Sequence, residues 1–456
     1  MQATRRQFLR QLGLAGLSLA MLGCNQKSRA RKPNIIYIMI DDLGYGDVGC
    51  YGSELNRTPH IDRLAEKGML FTDYHSNGPM CTPTRASLMT GKYQHRLGEK
   101  FEGPLSGKTQ YDEGLPLEAT TIAEVLGNAG YVTGMYGKWH LGYKPPYLPP
   151  DQGFDEFIGL GSGDGDHHTH IDRSGRKDWW KNNKLRMEEG YSTDLITDHS
   201  VDFIQNHKDE PFFLYVAHLS IHFPWQGPDD PPHREEGKDY ADDKWGIIPD
   251  KNNISPHVKA MVESIDDGVG RIMDTLKSLD LWENTLVIFT SDNGGYTHYG
   301  DTHFNISSNG PLRGQKTELY EGGHRVPFIA TWPGKIPEQI TSHELVMTMD
   351  MFPTFCDLAD IKIPADLELD GISIAPHLVN QQPIRKRTVC WKMDDERAIR
   401  KGDWKLLLLG DKAPELYNLA KDIRETQNLA SKYPDRVEEL KQEYYEWEAD
   451  VTQNYS

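Results

Sequence analysis

The chain has 456 residues, a formal net charge of −18, 10% aromatic residues and a mean hydropathy of −0.63. That length exceeds one typical core and predicts a large domain with a smaller one attached. The acidic balance excludes non-specific nucleic-acid binding and repels polyanions at long range, so an anionic ligand needs a local basic pocket.

At the N-terminus, Arg5-Arg6-Gln7-Phe8-Leu9-Arg10 precedes an apolar run from Leu12 to Leu22. The run is about half the ~20 residues that span a bilayer, so it reads as a signal segment and not as an anchor. The pattern resembles a twin-arginine export signal, which implies the twin-arginine machinery as a partner. Leu22-Gly23-Cys24 resembles a bacterial lipobox, with Cys24 as a lipid anchor; the alternative is plain cleavage near Ala20 or Ala30 and a free periplasmic protein. Residues 1–24 are thus a leader and 25–32 a basic tether, and the expected location is the periplasm or cell envelope. Of five cysteines, setting aside Cys24 and Cys81 leaves Cys50, Cys356 and Cys390, an odd number that gives no disulfide framework.

Asn34 to Ile40 is nearly continuous apolar sequence, as in a strand buried on both faces of an α/β sheet. Asp41 and Asp42 follow at its carboxyl end, the edge where such sheets bind ligands, and adjacent carboxylates there suggest a cation. A helix runs from Pro59 through Lys67, and Met69 to Tyr74 reads as a strand. Cys81 then opens a small-residue helix that ends at Gly91, placing its side chain where free N–H groups favour an anion. Arg85 returns to the same face.

Thr121-Ile122-Ala123-Glu124 is a capping box, and Tyr131 to Gly137 reads as a strand delivering Lys138-Trp139-His140. Alternation sends Lys138 and His140 to one side and Trp139 to the other. The Gly-rich stretch 161–173 offers His168, His170 and Arg173 as candidate substrate contacts. A helix over Ser192–His207 leads into a buried strand, Pro211 to His218, with His222 just beyond. Residues 226–256 read as an irregular excursion over the site. Apolar residues from Val258 to Leu276 recur at helical spacing. Thr285 to Thr290 is the next buried strand, and Asp292-Asn293 at its end mirrors Asp41-Asp42. Together these are hard oxygen donors of Ca²⁺ type. Lys316 lies in a Gly-rich segment closed by Tyr320-Glu321-Gly322-Gly323-His324-Arg325-Val326-Pro327. Short strands over Thr388–Trp391, Arg397–Leu409 and Glu415–Asn418, with a helix from Tyr433 to Val451, complete the chain.

Cys81-Thr82-Pro83-Thr84-Arg85 with its extension to Thr90-Gly91-Lys92, Gly137-Lys138-Trp139-His140-Leu141-Gly142, and the Lys316 segment resemble the type I sulfatases, in that family's order. The resemblance implies an alkaline-phosphatase-like α/β sandwich. Its large, mostly parallel sheet is flanked by helices over residues 33–374, with a small antiparallel sheet and helix over 375–456. It implies that a maturing enzyme converts Cys81 to formylglycine and that Ca²⁺ is held by Asp41, Asp42, Asp292, Asn293 and an oxygen of the modified Cys81. A hydroxyl of the formylglycine hydrate attacks sulfur while Arg85, Lys138 and Lys316 hold the sulfate oxygens. His222, with Lys316, assists the leaving oxygen, and His140 takes the second hydroxyl's proton. The expected substrate is a sulfated saccharide. The rival readings are a phosphomonoesterase or phosphodiesterase on the same fold, and a non-catalytic lipoprotein that captures sulfated glycans.

Overall fold

Alternate residues of the Asn34–Ile40 strand enter two different cores, with Ile35, Tyr37 and Met39 on one face and Ile36, Ile38 and Ile40 on the other. A strand buried on both faces needs helices above and below it. In the computed structural model, which describes residues 32–246, 253–453 and 455, that strand lies within a ten-stranded sheet. The expected leader, the Cys24 anchor and nearly all of the tether lie outside the described residues.

From one edge the sheet runs Ile340–Ser342, Met69–Phe71, Phe328–Thr331, Thr285–Ser291, Asn34–Ile40, Phe212–His218, Val132–Lys138, Glu156–Leu160, Trp180–Lys181 and Lys184–Leu185. The strands from Thr285–Ser291 through Glu156–Leu160 are mutually parallel, and the outer partners on both sides of this block are antiparallel. Helices Pro59–Glu66, Ser192–Asn206 and Ser255–Ser278 cover one face; Cys81–Thr90, Ile122–Asn128 and Met351–Leu358 cover the other. The register pairs Ile40 with both Ser291 and His218, and Gly137 with Ala217, so the carboxyl ends of four neighbouring strands finish at one level.

The C-terminal sheet is antiparallel, in the order Thr388–Met393, Glu396–Lys401, Trp404–Leu409 and Glu415–Asn418. Its Cys390, Ile399, Leu406 and Leu416 pack on helix Pro434–Val451. The opposite face, through Val389, Trp391 and Leu407, packs on Tyr93, Leu319 and Met349. Helix Ala375–Asn380 gives Leu378 to the main core, so the antiparallel sheet starts 13 residues beyond the boundary expected near 375.

Two elements differ from expectation. The single strand read over Arg397–Leu409 is a hairpin, because Gly402 adopts φ 59° and reverses the chain before Trp404. The strand read over Met69–Tyr74 breaks after Phe71, where Asp73 turns aside to pair with Arg400. Cys50, Cys81, Cys356 and Cys390 are all free thiols.

Candidate active site

Four parallel strands end side by side, and each delivers functional groups at its carboxyl end. Asp41 and Asp42 follow Asn34–Ile40, and Asp292 and Asn293 follow Thr285–Ser291. Lys138 and His140 close Val132–Lys138, and His222 follows Phe212–His218. Hydrogen bonds from Asp42 N to Asp292 Oδ1 (3.3 Å) and from Asn293 Nδ2 to Asp42 Oδ1 (2.8 Å) tie the acidic loops together.

Cys81 is the first residue of helix Cys81–Thr90, with Met80 as N-cap and Gly91 closing the helix at φ 67°. Its Sγ, the Asp41 and Asp292 carboxylate oxygens lie within 4.8 Å of one another. His140 Nδ1 stands 3.0 Å from Sγ, and its Nε2 lies 3.1 Å from the Leu105 carbonyl. A carbonyl only accepts, so the proton is on Nε2 and the Nδ1 lone pair faces residue 81. His222 is oriented the other way round: its Nδ1–H donates to the Phe223 carbonyl (2.8 Å), and Nε2 lies 4.0 Å from Asp42 Oδ2. Burial, with Lys138 and Lys316 nearby, holds both imidazoles well below their usual range.

Three cations meet the three carboxylates. Lys138 Nζ lies 2.5 Å from Asp41 Oδ2, and Lys316 Nζ lies 2.5 Å from Asp42 Oδ1. Arg85 directs Nε (3.0 Å) and Nη2 (2.8 Å) to Asp292 Oδ2, and Nη1 to the Lys138 carbonyl (2.5 Å). Burial raises Asp41 well above the usual carboxylate range; burial acts on Asp292 too, but Arg85, Lys138 and Lys316 hold it low. Lys316, although buried, is raised above the ordinary ammonium range by Asp42 and its anionic neighbours.

The backbone is distorted at this site: Asp42 (φ 64°), His140 (φ 55°) and Thr317 (φ 74°) all occupy the left-handed region. For a β-branched threonine this is strained, and such strain concentrates where a site over-determines the chain.

A cavity of about 350 Å³ opens above Cys81, lined among others by His140, Arg173, His222, Lys244, Tyr299 and Lys316. Several sequence expectations meet here, and others need correcting. Arg85 and Lys138 do not border the cavity; both stand behind it, against the carboxylates. Of the three candidate substrate residues, only Arg173 reaches it. His168 Nε2 faces the Gly227 carbonyl at 3.3 Å, and His170 is buried with its ring stacked 4.2 Å from Trp179. A Gly-rich loop has no period that reveals which side chains turn inward, so this choice was not available from spacing. Lys244, Tyr296 and Tyr299 border the cavity and were missed, since Lys244 lay in a stretch read only as irregular.

The acidic cluster fits a hard cation. Asp41 Oδ1 and Asn293 Oδ1 are buried without a hydrogen-bond partner, an expensive arrangement unless a ligand accepts them. A second buried cluster, His75, Glu321 and His324, already holds the Lys405 ammonium, 2.9 Å from Glu321 Oε1 and 3.2 Å from His324 Nε2.

The Sulfatase family profile matches residues 33–361, and one for the N-sulphoglucosamine sulphohydrolase C-terminal region matches residues 315–450. Human arylsulfatase A is 33% identical over 91% of this chain and 87% of its own. N-acetylgalactosamine-6-O-sulfatase of Bacteroides thetaiotaomicron is 31% identical over 94% of this chain and 96% of its own. The crystal structure of Ps i-CgsB in complex with k-i-k-neocarrahexaose superposes with a TM-score of 0.81, at 31% identity, covering 93% of this chain and 94% of that one.

Proposed function

The chain belongs to the sulfatase family and is a sulfuric ester hydrolase, and from that premise we propose that it removes sulfate from a saccharide by a calcium- and formylglycine-dependent route. The relatives named for galactosamine 6-sulfate and crystallised with a carrageenan oligosaccharide support a sulfated galactose-type sugar. The observation that carries the reading is the pair of orphaned oxygens on Asp41 and Asn293, in an acidic cluster whose Asp41 and Asp292 carboxylates come within 4.8 Å of Cys81 Sγ.

Asp41, Asp42, Asp292 and Asn293 would hold Ca²⁺, with residue 81 completing the set. A Ca²⁺ ion held there would supply a Lewis acid for a hydroxyl on residue 81 and offset charge on the ester, and the hydrated formylglycine would supply that hydroxyl and a second one. Arg85, Lys138 and Lys316 balance the three aspartates, so a divalent ion leaves the site positive within an acidic protein. That surplus recruits a sulfate ester despite the overall charge. Lys316 Nζ holds the transferring group and stabilises the departing sugar oxygen; His222 joins it only in its protonated form, because in the neutral ring the proton is on Nδ1 and Nε2 carries a lone pair. His140 Nδ1 takes a proton from residue 81, the Leu105 carbonyl fixing the tautomer that makes this possible. Lys138 acts from behind the cavity by anchoring Asp41.

The leader motifs support export and a lipid anchor at Cys24, with maturation of Cys81 by a formylglycine-generating enzyme. The test is parallel hydrolysis of 4-nitrophenyl sulfate and 4-nitrophenyl phosphate by matured protein, with mass spectrometry of the tryptic peptide ending at Arg85. Sulfate turnover that vanishes in Cys81→Ala and after chelation is expected. Equal activity with an unmodified thiol would overturn the reading; phosphate turnover alone would favour the phosphoesterase.

A further inference from the structure

Phe223 lies directly after His222, and two cations share its ring. Arg173 Cζ is 5.1 Å from the ring centroid and Lys244 Nζ is 5.5 Å. Both side chains line the cavity that holds Cys81. Lys244 is held among aromatic groups, 4.6 Å from the Trp245 centroid and 4.8 Å from that of Tyr299, whose hydroxyl it meets at 3.0 Å. An aromatic face stabilises an ammonium without neutralising it. Among the described residues no carboxylate stands within ion-pair range of Lys244.

Arg173 is only partly compensated. Its partner Asp164 (2.6 Å) also serves Arg234 at 3.4 Å, so two guanidinium groups share one carboxylate. Asp172, the other acid on this wall, accepts the backbone N–H groups of Ser174 and Arg176. Two like charges facing one cavity repel unless an anion comes between them.

We propose that Arg173 and Lys244, bridged by Phe223, form a second anion subsite that takes a sulfate or carboxylate on the saccharide other than the ester being cleaved. The proposal rests on the sulfatase reading and narrows it to substrates carrying at least two anionic groups. Charge-assisted hydrogen bonds lost at such a site cost roughly tenfold or more in affinity.

The test compares kcat/KM on three probes: N-acetylgalactosamine 6-sulfate, N-acetylgalactosamine 4,6-disulfate, and a uronyl disaccharide of N-acetylgalactosamine 6-sulfate. The wild-type enzyme is expected to prefer one or both doubly charged probes over the first by roughly tenfold, mainly through KM. Preference for the disulfate identifies a second sulfate as the ligand, and preference for the uronyl probe identifies a carboxylate. Lys244→Gln should collapse that preference ratio and Lys244→Arg should restore it, which a merely misfolded variant would not do. Hydrolysis of all three probes without preference, or a ratio untouched by Lys244→Gln, overturns the subsite and leaves the sulfatase reading standing. Hydrolysis of none while 4-nitrophenyl sulfate is turned over overturns the subsite alone; failure on 4-nitrophenyl sulfate as well overturns both.

Discussion

Arg85 and Lys316 are both buried cations, yet only Lys316 borders the cavity. Spacing placed Arg85 on the Cys81 face of its helix, which holds, but spacing could not say what the long side chain reaches once there. It reaches Asp292, with a fork that also takes the Lys138 carbonyl. Arg85→Met therefore breaks a buried pair and should cost about 3–5 kcal/mol of stability, with activity lost alongside it. Urea unfolding and kcat measured on the same preparation check this. An unchanged midpoint with a fallen kcat would return Arg85 to the role of holding sulfate oxygens. Cys81, His140 and Lys316 were legible because each stands in a long specific string. His168 and His170 could not be placed from the sequence, because a loop histidine is equally at home facing a cavity, against a carbonyl or on a tryptophan ring, and these two take the last two positions.

At the scale of elements, the catalytic loops are positioned by backbone lying against backbone. Gly294 N donates to the Gly323 carbonyl (2.9 Å), and Lys316 N donates to the Gly295 carbonyl (3.3 Å). These bonds fix the loop of Asp292 and Asn293 against the loop of Lys316. A Cβ on Gly294 would meet the Gly322 carbonyl oxygen at 1.8 Å, and main chain cannot swing aside as a side chain can. Gly294→Ala should therefore push Asp292 and Asn293, the proposed calcium ligands, away from Lys316, and displacement near 1 Å costs roughly 100-fold in rate. Steady-state kinetics with calcium titration check it, an unaltered kcat being the contrary outcome. The buried strands were readable from their apolar runs, and the helix at Thr121 from its capping box, whose reciprocal bonds with Glu124 are formed. The Gly294 contact was not readable, since a pair of glycines says that something comes close without saying what.

The whole molecule places the C-terminal sheet against the catalytic part through buried charge as well as apolar contact. Arg400 donates to both oxygens of Asp73 at 2.7 Å, with Arg325 Nη1 at 3.1 Å. Lys405 lies 2.9 Å from both Glu321 and Glu425, and Glu321 opens the short helix that follows the Lys316 loop. The sequence showed two sheets and their order; that charged side chains of one would be buried against the other carries no local signature, because arginine and lysine in a strand usually face water. Burial alone would raise Asp73, but Arg325 and Arg400 hold it well below the carboxylate range. Its folded pKa is thus depressed, so its stability is present above the unfolded value of about 3.9 and is lost as pH falls through the folded one. Glu425 has the opposite sign: burial lifts it to about 7. Its native form binds the proton more tightly than the unfolded chain, so its contribution is present below the unfolded value of about 4.3 and is lost as pH rises through the folded one. The junction should accordingly be most stable in mildly acidic solution. Urea midpoints followed from about pH 3 to about pH 8 should fall toward both ends. Asp73→Asn should flatten the acid limb while lowering the whole curve by about 3–5 kcal/mol, because two arginines lose their partner. Glu425→Gln should flatten the limb above about pH 5 and leave the acid limb in place. An acid limb as steep in Asp73→Asn as in the unaltered protein would mean that other carboxylates carry the acid sensitivity.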